Sequence, residues 1–256
     1  MYEIAERFTA RKPRLLGLLA ELEASVCHRT VYLTAETLGA MRQAPHSRDE
    51  FSVHEISRQS GDSDTGLAIF FTENRVVAVI PPFPIPVDLT GDRAVTSPLV
   101  DILERDRLIG VVLLRLGRYA VGVLREAGLI ASKTGSRYVK RSHRAGGSSQ
   151  RRFERSRERL VRELFDAACG VVGDVIGPYG RQLDHVLLGG ERNTLRGFTL
   201  RCPRMTNLQE KTLGRILRVE RPGQRALERL PAQVWESRVF VFEGARQGDR
   251  GDRRER

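Results

Sequence analysis

The sequence predicts a mixed α/β (α+β) fold. It reads as an antiparallel-rich mixed sheet with packed helices over 99–244, preceded by a smaller N-terminal α+β segment over 1–98. Three observations carry this. "IGVVLLRL" (109–116), "RYAVGVLR" (118–125), "GLIASKT" (128–134) and "SRYVKRS" (136–142) are short β-rich runs separated by glycine-containing turns, the spacing of an antiparallel meander. Phe153, Leu160, Val161, Leu164, Phe165, Ala168, Val171, Val172, Val175 and Ile176 recur at helical spacing and define one helix over about 150–176. Strand-like and helix-like segments then intermix to about 244.

In chain order, residues 1–45 read mainly as helix, because "RLLGLLAELEASV" repeats leucine at helical spacing and "TAETLGAMR" starts at a threonine cap. Residues 57–66 read as a polar loop. Leu67–Phe71 and Val76–Ile80 flank Thr-Glu-Asn-Arg as a hairpin. Prolines at 81, 82, 84 and 86 cannot donate to a ladder, so 81–98 is expected to be a linker or subdomain boundary. Beyond the long helix, Gly177-Pro178 is a stop and "DHVLLGG" (184–190) a buried strand. "NTLRGF" and "NLQEKTL" are short helices, "GRILRV" a strand, "GQRALERL" a helix and "SRVFVFEG" a last strand. The tail 245–256 is low in complexity and expected to be disordered.

At 256 residues the chain has room for one large domain or two small ones, and 40% hydrophobic with 29% charged residues is ordinary for a globular protein. No apolar run approaches the ~18 residues of a membrane span, and the N-terminus lacks the apolar core of a signal peptide. The three cysteines, Cys27, Cys169 and Cys202, are far apart with no C-x-x-C pair. Neither a zinc site nor a disulfide framework is expected, Cys169 is expected in the core, and the usage suggests a reducing cytoplasm.

The net charge of +11 points to an anionic partner such as nucleic acid, or to a merely basic protein, and its distribution separates the two. Between Lys133 and Arg162 lie eleven Lys/Arg and two acids, Glu154 and Glu158, so most of the excess charge is in one window. Lys140, Arg141 and Arg144 precede a Gly146-Gly147 pair; Ser148, Ser149 and Gln150 follow; then come Arg151, Arg152 and Arg155. Cations in the first turn of a helix cost about 0.3–1 kcal/mol each against its dipole, so a phosphate-backbone footprint explains them better than a solvated face. The glycines suit either a simple turn or close approach of another molecule, and a serine suits the N-cap. His143 reads as a surface hydrogen-bonding residue, with phosphate binding or proton transfer as alternatives. Tyr138 reads as a strand aromatic, with base stacking as the alternative. Gln150 carries an amide able to orient water or stabilise developing charge. No nucleophile–base pair, phosphate loop or histidine–carboxylate metal cluster is evident elsewhere, and Asp184-His185 reads as structural.

The stretch "TGSRYVKRSHRAGGSSQRRFERSRE" resembles the catalytic loop of the bacterial VLRF-type peptidyl-tRNA hydrolases, relatives of the central domain of eukaryotic and archaeal release factors. The resemblance is clear over about 109–176, with compatible element order to about 244. It implies hydrolysis of the ester joining a nascent chain to tRNA on stalled large ribosomal subunits, as part of ribosome-associated quality control in the cytoplasm. Gly146 and Gly147 would shape the loop and Gln150 would be the catalytic glutamine. Lys140, Arg141, His143, Arg144, Arg151, Arg152 and Arg155 would contact tRNA or rRNA, and no metal or other cofactor would be required. Two serines separate Gly147 from Gln150, where a release factor has none and eukaryotic members, associated with cutting the tRNA acceptor end, have one. A CCA-end endonuclease on the same loop and a non-enzymatic tRNA- or ribosome-binding protein therefore stand as alternatives.

Overall fold

The computed structural model describes residues 2–43, 51–126, 128–139 and 148–244. It resolves into two compact units, Met1–Arg105 with Trp235–Arg256, and Asp106–Val234.

In the first unit, β1 (Tyr2–Ala10), β2 (Cys27–Leu33), β3 (Leu67–Thr72), β4 (Val76–Ile80) and β5 (Leu89–Gly91) join β11 (Ser237–Gly244) in a six-stranded antiparallel sheet of order β1-β11-β4-β3-β2-β5. Helix α1 (Lys12–Ala24) has Pro13 in its first turn and buries Leu15, Leu19 and Leu22 along one stripe. Helices α2 (Ala35–Gln43) and α3 (Phe51–Ser60) contribute Leu38, Val53 and Ile56 to a core with β3 and β4, and α4 (Ser97–Glu104) buries Leu99, Ile102 and Leu103.

Four expectations are corrected here. Residues 1–45 are not mainly helix: β1 and β2 flank α1. The residues of β1 are mostly exposed, so apolar alternation does not betray them, and the strand exists because it pairs with β11 from Tyr2–Gly244 to Ala10–Ser237. The polar loop is shorter than expected, because α3 continues to Ser60. The proline-rich stretch is core rather than linker. Phe83 and Ile85 are buried, the Ile85 amide donates to the Thr65 carbonyl at 2.9 Å, and Phe83 meets Trp235 edge-on at 5.6 Å. The last strand, expected to close the 99–244 segment, pairs with β4 and β1 instead, so the compact units change hands at 105–106 and 234–235.

The second unit is a three-layer arrangement around a five-stranded mixed sheet of order β10-β9-β6-β7-β8, built from β6 (Leu108–Arg115), β7 (Arg118–Arg125), β8 (Gly128–Ser136), β9 (His185–Gly190) and β10 (Thr212–Leu217). The meander β6-β7-β8 is antiparallel; β9 adds parallel to β6 and β10 parallel to β9. Helix α5 (Ser148–Val175) carries the chain from β8 back across the sheet to β9. Its apolar face covers Tyr119, Val121 and Val123, alongside α6 (Arg192–Arg201) and the short α7 (Pro203–Thr206). Helix α8 (Gln224–Val234) covers the opposite face, where Gly122 leaves room for Leu227. The mixed sheet with packed helices is the predicted fold class.

Two further differences appear. The meander has three strands among the described residues, β8 ending at Ser136 and 137–139 lying outside any strand. Cys169, on α5, is disulfide-bonded to Cys202, which follows α6. This overturns the expectation of unpaired cysteines: a separation of 33 residues carries no sequence signal, and packing α6 on α5 brings the pair together. The tail 245–256 lies outside the described residues.

Candidate functional site

The basic window maps onto the junction between β8 and α5. Full burial on α5 begins at Leu164 and continues through Phe165, Ala168, Val171, Val172 and Val175. Burying each large side chain contributes about 1.5–3 kcal/mol, which anchors this half of the helix. Lys133 of β8 also meets Asp174 of the same half at 2.9 Å, an exposed ion pair of small energetic weight. Upstream, Phe153, Ser156, Arg157, Leu160 and Val161 are partly buried, and the other described side chains are exposed. At 1.5 Å per residue, roughly 24 Å of helix precedes the first fully buried residue. Helix α5 is thus a packed rod with a less buried arm, and Ser148, Ser149, Gln150 and Arg151 form the arm's first turn.

Along the arm, Arg152, Arg155 and Arg159 are exposed and Arg162 follows them. At 100° per residue they fall within about 80° of one another, a single cationic stripe. Arg159 meets Glu163 at 3.8 Å, an exposed contact of little energetic weight. The stripe ends where Arg201 of α6 grips Asp166 with Nε–Oδ1 at 2.7 Å and Nη2–Oδ2 at 2.8 Å. Those hydrogen bonds hold the Asp166 carboxyl below its ordinary pKa, helped by the nearby charges of Arg201 and Arg162. The acid neutralising this end of the stripe stays ionised for a structural reason.

The other end of the junction is the outgoing edge of the sheet. Strands β6, β8, β9 and β10 all run in one direction, so their C-terminal ends share an edge. Arg115, exposed at the end of β6, donates to the Glu220 carbonyl at 3.1 Å. Glu191 caps α6, accepting from the amides of Asn193 at 2.9 Å and Thr194 at 2.8 Å. The Thr194 hydroxyl and those amides hold the Glu191 carboxyl below its ordinary pKa.

Of the residues singled out in the sequence, Arg152 and Arg155 lie on the exposed stripe, and Gln150 and Arg151 occupy backbone positions in the first turn of α5. Lys140, Arg141, His143, Arg144, Gly146 and Gly147 lie outside the described residues. Asp184 is structural, as expected: its Oδ2 accepts from the Leu108 amide at 2.8 Å and its own amide donates to the Leu108 carbonyl at 2.9 Å. Sequence reasoning missed the Asp166–Arg201 clamp and the Glu191 cap. The cap had a signal, an acid directly ahead of a helical pattern; the clamp, 35 residues apart in sequence, had none. Among the described residues no group of three or more His, Cys, Asp or Glu is placed to hold a metal ion, and no helix is long and apolar enough to cross a membrane.

The sequence places the chain in the release-factor class of translation proteins. More narrowly, residues 107–240 match the Actinobacteria/chloroflexi VLRF1 release factor family, and the chain belongs to it. It is 27% identical over 201 residues to "Peptide chain release factor subunit 1" of Thermococcus sibiricus, covering 77% of this chain and 44% of that protein. It is 26% identical over 221 residues to the protein of the same name from Aeropyrum pernix, covering 73% of this chain and 59% of the other. The chain therefore spans about half the length of these relatives. The crystal structure of an archaeal translation termination factor, aRF1, aligns over 88% of this chain and 73% of its own, at 18% identity and a TM-score of 0.39.

Proposed function

We propose that the protein is a peptidyl-tRNA hydrolase that frees nascent chains from tRNA on stalled large ribosomal subunits, in ribosome-associated quality control in the cytoplasm. The observation that carries this reading is the α5 arm: Gln150 stands in its first turn, directly ahead of a one-sided stripe of Arg152, Arg155, Arg159 and Arg162. Clustered cations on one face suit the phosphate backbone of tRNA or rRNA. An arm set ahead of the packed body suits insertion into a confined RNA-lined site.

The chemistry needs little from the protein. A water oxygen attacks the carbonyl carbon of the ester, and the bond to the tRNA 3′ oxygen breaks. The departing oxygen takes up one proton of the water and the other goes to solvent, leaving a peptide carboxylate and a free 3′ hydroxyl. Catalysis then rests on placing the water and on donors aimed at the charge that develops. In this reading Gly146 and Gly147 let the backbone approach the ester, and the Gln150 amide orients the water. Lys140, Arg141, His143, Arg144, Arg151, Arg152 and Arg155 hold the surrounding phosphates.

The spacing of two serines between Gly147 and Gln150 favours one rival on the same loop, cleavage within the tRNA acceptor end. One experiment decides. Gln150→Ala is compared with the parent on 50S–peptidyl-tRNA complexes, and the 3′ end of the liberated tRNA is sequenced. Loss of peptide release with the CCA end intact supports ester hydrolysis, and a shortened acceptor end supports the nuclease. Undiminished release by Gln150→Ala removes the glutamine from the mechanism, and binding without turnover by the parent leaves a non-enzymatic RNA- or ribosome-binding protein.

A further inference from the structure

We propose that Tyr138, just past the end of β8, is a stacking platform for an unpaired RNA nucleotide, with Arg118 and Arg137 holding the adjoining phosphates. This rests on the RNA-binding part of the function proposed above and adds contact residues beyond those named there.

The placement of Tyr138 follows from its neighbours. The Arg137 amide donates to the Gly117 carbonyl at 3.0 Å, which carries the β7–β8 pairing one residue past the end of β8. Val139 packs its side chain against the buried core of the unit. With the residue before it tied to the β6–β7 turn and the residue after it turned inward, the Tyr138 ring is held outward, 75% exposed. Among the described residues no hydrogen bond or ring contact holds it. The expectation of a strand aromatic is overturned, because β8 ends at Ser136. Tyr119 of the meander is buried, and its ring occupies the space over Gly135, where a side chain would collide with it.

The surroundings specify the ligand. The β6–β7 turn places Leu116, 45% exposed, and the exposed Arg118 beside the end of β8, Arg118 pairing with Ser136. Arg137 is exposed and directs one guanidinium nitrogen to the Ser136 carbonyl at 3.0 Å. Residues 115–118 and 137–139 contain three arginines and no acid. An aromatic face flanked by cations fits a base whose π-face is free and whose phosphates lie to either side, and that condition requires an unpaired nucleotide. A duplex offers phosphates but no free base face, so it would use the arginines alone.

The test uses the full chain and two probes: a short single-stranded RNA carrying 2-aminopurine, and a blunt duplex of the same sequence. The parent is expected to bind the single strand more tightly and to change its 2-aminopurine fluorescence. Tyr138→Ala should bind the single strand about tenfold more weakly while binding the duplex as before, and Tyr138→Trp should restore the preference. Because the ring is exposed, an unchanged melting temperature and unchanged duplex binding report intact folding. Equal affinity of Tyr138→Ala and the parent for the single strand, or equal affinity of the parent for both probes, overturns the proposal. Release by Gln150→Ala decides the hydrolase reading alone, so the two fail separately.

Discussion

Arg201 of α6 holds both carboxylate oxygens of Asp166 on α5, at 2.7 and 2.8 Å, and so closes the end of the arginine stripe against the packed half of the helix. The same α5–α6 contact is reinforced by the Cys169–Cys202 bond and by the edge-on meeting of Phe165 and Phe198 at 5.9 Å. The arm therefore departs from a body tied to α6 by ionic, covalent and aromatic contacts.

The clamp has a pH signature. Asp166 is held below the 3.8 of a free aspartate, chiefly by hydrogen bonds from Arg201. A carboxyl depressed in the fold contributes stability above its unfolded pKa and loses that contribution as pH falls through the folded value. Asp166→Asn should lower the melting temperature by about 1–2 °C near neutral pH, the scale of an exposed pair. The gap should stay constant from about pH 5 upward and close in acid. Glu191 is also depressed but is common to both proteins, so it cancels from the difference. A gap that ignores pH would remove the ionic account of the clamp.

The stripe has a salt signature. If Arg152 and Arg155 contact phosphates, replacing each with Ala should flatten the slope of log affinity for RNA against log salt by about 1 per residue. Arg229, exposed on α8 across the sheet from α5, is the control and should leave the slope unchanged. Measuring tRNA binding between low and physiological salt checks this. An unaltered slope in the double Arg152→Ala, Arg155→Ala variant excludes the stripe from the footprint.

The disulfide has a redox signature. Closing a loop across 33 residues stabilises a fold by about 3–4 kcal/mol through the unfolded chain. Adding dithiothreitol should shift the urea midpoint of the parent down correspondingly. A Cys169→Ser, Cys202→Ala variant should unfold at one midpoint with or without reductant. A parent indifferent to reductant would show that the bond contributes nothing to the fold.

Much of this molecule was legible from local pattern. The apolar stripe from Leu164 to Val175 has the periodicity of a helix against a sheet. The β3–β4 hairpin and the three meander strands carry alternation or apolar runs bounded by turn residues. The cluster of basic residues around Gly146, Gly147 and Gln150 singled out the junction of β8 and α5. These features are written in neighbours close along the chain, where spacing and side-chain chemistry suffice.

What sequence alone could not determine depends on partners far away in the chain. Strand β1, largely exposed and mixed in charge, is a strand because β11, more than 200 residues later, supplies its hydrogen bonds. The proline-rich stretch is buried because Trp235 and the Thr65 carbonyl receive it. The Cys169–Cys202 and Asp166–Arg201 pairs exist because α6 packs on α5. Tyr138 is outward because Gly117 holds the residue before it and the core takes the residue after it. The sequence determined which residues carry charge and which carry an amide or an aromatic ring. Tertiary structure decided which of them are exposed together, because exposure depends on the packing and hydrogen bonding of residues distant in sequence.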